Sequence, residues 1–102
     1  MIYYHKPYRC GQVGPRCFRG QLFTHLAADT ETELVTFALR VLKMKRQWIQ
    51  KPGTPRVHFD VTGNRLRVLL ASDKACELPM TEWASRQRKK LQEEVRSQRR
   101  QV

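Results

Sequence analysis

Four residues in this chain carry side chains able to do chemistry together: His25, Asp29, His58 and Asp60. Two imidazoles and two carboxylates suffice for general acid–base work, or for holding a divalent metal against a phosphodiester. His25 falls near the end of an extended segment, Asp29 at a helix start, and His58-Phe-Asp60 on a third element. Ligands of α/β folds bind in crevices at strand ends. The expectation is that at least three of the four converge. The structural alternative is that Asp29 supports a helix cap, Asp60 caps the next helix, and the histidines are hydrogen-bonded structural groups. The residues leave open whether the chain is an enzyme, and they name no cofactor.

Other constellations are weaker. His5, Cys10, Cys17 and His25 offer zinc-type atoms, but their spacing matches no standard site, so no residue is assigned as a metal ligand. Gly11 and Gly14 lack the Gly-Lys-Ser/Thr ending of a phosphate loop. Three cysteines without a Cys-x-x-Cys pair argue against a disulfide framework and for a reducing compartment. With neither a secretory leader nor an apolar run of membrane-spanning length, the expectation is a cytoplasmic protein with no membrane partner.

The elements that must position these residues follow from local pattern. Met1–His5 is β-prone, and Lys6-Pro7 ends it. Residues 7–20, with two prolines and three glycines, read as a long loop. Gln21–Ala28 reads as a second extended segment leading into a helix. Thr30-Glu-Thr-Glu33 fits a capping box, and Leu34, Phe37, Ala38, Val41 and Leu42 repeat at helical spacing. Arg46–Gln50 reads as a third short strand, and Lys51–Pro55 as a turn. Residues 56–72 satisfy both a hairpin and a strand-then-helix pattern. Ala75–Pro79 reads as a last strand, with Thr81 capping a helix that runs to the C-terminus. That gives one α/β domain over residues 1–85 and a basic helical tail over 86–102.

Charge supplies the partner. The 102 residues hold 20 Lys and Arg against 9 acids, a net charge of +11. Such an excess repels itself and attracts phosphate polymers. It concentrates in acid-poor stretches before Asp29, between Glu33 and Asp60, and near the C-terminus. Arg40, Lys43, Lys45, Arg46, Lys51, Arg86, Arg88, Lys89 and Lys90 are the expected nucleic-acid contacts. Of the aromatics, Trp48 and Trp83 read as core anchors, and Tyr8 or Phe18 as the exposed stacking faces.

His25-Leu-Ala-Ala-Asp29-Thr30, Glu33-Leu34, Phe37-Ala38, Arg46-Gln-Trp48 and His58-Phe-Asp60 carry a resemblance. From Thr24 to about Thr81 the chain resembles a bacterial and phage family, the domain-of-unknown-function family numbered forty thirty-one. The resemblance implies the helical reading of residues 62–73. In many members the opening strand ends in an aspartate where this chain has His5-Lys6, and the tripeptide carries tyrosine where this chain has Phe59.

The expected fold is a small α/β domain, a three- or four-stranded sheet flanked by helices, with a basic C-terminal helix. The expected function is that of a small phage- or bacteria-type accessory protein binding nucleic acid electrostatically. One alternative is a metal-dependent, nuclease-like hydrolase using the His/Asp cluster. The other is a phage antagonist that docks on a host protein.

Overall fold

Proline chemistry shapes the first edge of the sheet. The computed structural model describes residues 1–9 and 21–100, without the side chains of 97–100. Ile2–His5 forms β1, buried along its whole length, and Tyr8–Arg9 forms the two-residue β2. Both pair antiparallel with Leu22–Ala28, the central strand β3. Tyr4 lies opposite Leu26 and Tyr8 opposite Phe23, so the register slips by one residue across Lys6-Pro7. Proline has no N–H to give the ladder, and an extra residue of this kind bends a strand and re-aims its side chains.

Phe59–Thr62 forms β4 on the other edge of β3, and Ala75–Leu78 forms β5, parallel to β1. The result is a five-stranded mixed sheet. The helices are α1 (Glu31–Arg40), α2 (Gly63–Ala71) and α3 (Met80–Arg100). The chain is an α/β protein. Residues 63–71 are helical, which settles the hairpin-or-helix ambiguity in favour of the helix.

Period two in the strands sorts the side chains onto two faces. Ile2, Tyr4, Leu26, Ala28, Phe59 and Val61 join the apolar stripe of α1 and Leu66 and Leu69 of α2 in the main core. Tyr3, Ala27 and Leu78 face the other way and pack with Trp83 of α3. His5 lies two residues beyond Tyr3, His25 two before Ala27, and Asp60 directly opposite His25. All three therefore share the α3 face.

Three local readings are corrected. Arg46–Trp48 is a 3-10 turn followed by a single bridge from Gln50 to His58. Beyond Gln50 the chain turns away at Lys51, whose φ is 54°, so only a single bridge forms beside the start of β4. Trp48 is no core anchor: it is 37% exposed, with Arg65 4.8 Å and Lys45 5.8 Å from its ring centre. Helix α3 starts at Met80, one residue before the expected Thr81 cap, with the Trp83 amide donating to the Pro79 carbonyl at 2.9 Å.

The α1 capping box forms by half. Thr30 Oγ1 accepts from the Glu33 amide at 3.2 Å, while the Glu33 carboxylate pairs with the Met1 ammonium at 2.6 Å. Among the described residues, no helix is long and apolar enough to cross a membrane. Cys10, Cys17 and Phe18 lie outside the described residues.

Candidate functional site

Three side chains that share a sheet face also share one point on it. His25 Nε2 and His58 Nε2 each lie 3.5 Å from Asp60 Oδ1. One ligand atom from each of the three residues falls within 4.8 Å of the other two. His25 and Asp60 meet because they are register partners across β3 and β4. His58 precedes Asp60 by two, so its ring projects from the same face. All three side chains are partly buried.

The hydrogen bonds around the cluster set the tautomers. His58 Nδ1 donates to the Arg56 carbonyl at 2.8 Å, which leaves Nε2 facing Asp60. The His25 backbone amide donates to His5 Nε2 at 3.1 Å, so that nitrogen is bare. His25 Nδ1, 2.9 Å away, donates to the same atom, and its own Nε2 is left with a lone pair. His5 completes the chain by donating from Nδ1 to the Lys6 carbonyl at 3.0 Å, with Thr24 Oγ1 at 3.2 Å.

The electrostatics follow from this arrangement. Burial holds His25 down to about 4, against the opposing charge of Asp60. Burial likewise lowers His5. Burial works against a charged His58 as well, but the neighbouring Asp60 carboxylate, with the Arg56 carbonyl, outweighs it and raises its pKa. Burial would raise Asp60, and the two imidazoles more than offset it, holding the carboxyl below its ordinary value.

Asp60 Oδ1 is buried and has no hydrogen-bond partner among the described residues. A separation of 3.5 Å is long for a hydrogen bond. It is close to the spacing of neighbouring ligands around a tetrahedral ion with bonds of about 2.0–2.1 Å, roughly 3.3–3.4 Å. Two imidazoles and a carboxylate, each histidine anchored through its other nitrogen, are a donor set for zinc, iron or a similar divalent ion.

A cavity of about 500 Å³ opens over the cluster. His25 and His58 line it together with Lys51, Arg56 and Arg88. The turn carrying Lys51 and Arg56 is pinned by the Gly53 amide, which donates to Glu31 Oε1 at 2.6 Å, and Gly53 takes a φ of 76° that favours glycine.

Asp29 does not join the other three. It binds the Met1 ammonium at 2.9 Å and lies 4.0 Å from Arg86. Four residues of strand separate it from His25, on the order of 13 Å at about 3.3 Å per residue. His5 takes the place expected for Asp29. The signal for it was its position at a strand end ahead of Lys6-Pro7.

The expected cationic contacts divide. Lys51 and Arg88 line the cavity, and Arg40, Lys43, Lys45, Arg46 and Lys89 are exposed. Arg86 lies 5.5 Å from the Tyr3 ring centre, and Lys90 donates to the Ala28 carbonyl at 2.8 Å. Both are half-buried against the sheet.

The family model described as protein of unknown function, DUF4031, matches residues 14–90. The chain belongs to the DUF4031 family. The match to DUF4031 is longer than the Thr24–Thr81 resemblance and takes in both strands that pair with β1 and the first half of α3. No curated protein and no solved structure matches the chain.

Proposed function

We propose that this DUF4031 protein is a divalent-metal-dependent phosphodiesterase acting on nucleic acid. One observation carries the reading: a buried, unpartnered carboxylate oxygen lies 3.5 Å from each of two ring nitrogens whose opposite nitrogens are committed as donors. Three ligand atoms converge there, and a metal ion would take the place of the proton that Asp60 favours on His58. An ion held there would polarise a phosphoryl oxygen and acidify a water.

The rim supports a phosphate substrate. Lys51, Arg56 and Arg88 would neutralise its charge as the water oxygen bonds to phosphorus and the ester oxygen departs. The products are a phosphomonoester and an alcohol, the water's proton ending on the alcohol. The net charge of +11 supports a polymeric phosphate substrate. A second reading, binding without cleavage, rests on the exposed cations Arg40, Lys43, Lys45 and Arg46.

The test starts from chelator-treated protein. Zinc or manganese at about 100 times Kd contributes roughly 2.7 kcal/mol. For a domain of this size that raises Tm by more than about 10 °C. The same metal should switch on cleavage of a labelled oligonucleotide. His58→Ala and Asp60→Ala should each lose both effects. Wild-type protein that binds oligonucleotide but neither binds metal nor cleaves would leave the binding reading in its place.

A further inference from the structure

The cavity over the histidines has two unlike walls. Met80, Trp83, Ala84 and Leu91 recur at helical spacing along one side of α3 and give it an apolar wall. Met80 and Leu91 are 45% and 38% exposed, so their side chains are open to an occupant of the cavity. Lys51 and Arg56 come from that loop, and Arg88 closes the rim from α3. Tyr8, 41% exposed, lines the cavity as a further aromatic. The Trp83 indole lies 5.8 Å from His25, ring centre to ring centre and tilted by 35°, so the apolar wall and the ligand cluster adjoin.

We propose that this cavity accepts one nucleotide of a single strand, its base against the α3 wall and its phosphate towards Lys51, Arg56 and the histidines. An occupant with a flat apolar part and an anionic part matches the two walls. A volume of about 500 Å³ suits a small molecule, within the roughly 300–1,000 Å³ of such sites. A paired, stacked base cannot enter a recess of this size, so the nucleotide must come from a single strand or be flipped out. The inference rests on the phosphodiesterase reading for the fate of the phosphate, and on the cavity alone for the base.

The two can therefore fail separately. Trp48→Phe, at a position held between Arg65 and Lys45 on the surface, leaves Trp83 as the single tryptophan of the full chain. In chelator, at low salt, adenosine 5′-monophosphate should quench Trp83 emission saturably. Ribose 5-phosphate and adenosine should each bind more weakly. Loss of stacking in Trp83→Ala, read by calorimetry since no reporter remains, should weaken the monophosphate about 5- to 150-fold. Because Trp83 also packs on Tyr3, Ala27 and Leu78, the exposed-wall variants Met80→Glu and Leu91→Glu provide an independent check and should weaken it as well. Binding no tighter than ribose 5-phosphate, or unaffected by Met80→Glu and Leu91→Glu, overturns the inference even if metal-dependent cleavage is found. Quenching without any cleavage upholds the nucleotide site and removes the phosphodiesterase reading.

Discussion

His5 Nε2 accepts the backbone amide of His25 at 3.1 Å and the His25 ring nitrogen Nδ1 at 2.9 Å. One buried imidazole thus fixes both the strand position of His25 and the tautomer that frees its Nε2. An outer partner of this kind orients a metal-binding histidine, and losing it typically costs about 10- to 100-fold in metal affinity.

His5→Phe keeps a ring beside Tyr8 and Trp83 but removes the acceptor. Zinc affinity, measured calorimetrically, should fall by about that factor. His5→Gln, which can still accept, should recover part of it. Equal affinities in all three proteins would reduce His5 to packing.

Nucleic-acid affinity should depend on the cavity rim. Replacing Lys51, Arg56 and Arg88 with Gln removes three cations from around the cluster. Each lost phosphate contact flattens the log–log salt dependence by about 0.7 for single strands, so the slope should drop by roughly 2. A matched triple at Arg40, Lys43 and Arg46 tests the exposed alternative. If that second triple alone flattens the slope, the binding surface lies away from the cavity.

Lys90 is expected to matter for stability. Its ammonium donates to the Ala28 carbonyl at 2.8 Å, tying α3 to the end of β3, and burial lowers its pKa. Lys90→Met should cost about 1 kcal/mol after allowance for its partial exposure, lowering Tm by roughly 4–8 °C. Lys89→Met, one residue away and exposed, should leave Tm within a degree or two by the usual tolerance of surface sites. Equal effects of the two would show that the tether contributes nothing.

Alkaline stability should track Tyr3. Burial, aided by the charge of Asp29, pushes its phenol up to about 12 from 10.0, and burial also raises Tyr4. Above pH 10 the unfolded chain releases the proton first, so stability is complete below about pH 10 and falls as pH rises towards 12. Phenolate absorbance at 295 nm should show a late step near pH 12 that coincides with unfolding and is absent in Tyr3→Phe. A late step that persists in that variant would assign it to another tyrosine.

Local pattern determined much of this protein. The α/β class, the start of α1 at its Thr30 cap, and the β-prone segments at 22–28, 59–62 and 75–78 were legible because each depends on residues close in sequence. His58 and Asp60 were legible as neighbours because period two puts i and i+2 on one face. What the chain could not reveal was register. Whether His25 meets Asp60 depends on how β3 pairs with β4, and a slip of one residue would turn every side chain to the other face. The same holds for His5, which reaches His25 across 20 residues of sequence, and for Arg86 and Lys90, which read as solvated cations until α3 docks on the sheet. Spacing along a chain fixes which face a residue takes within its own element, and only tertiary pairing decides which faces meet.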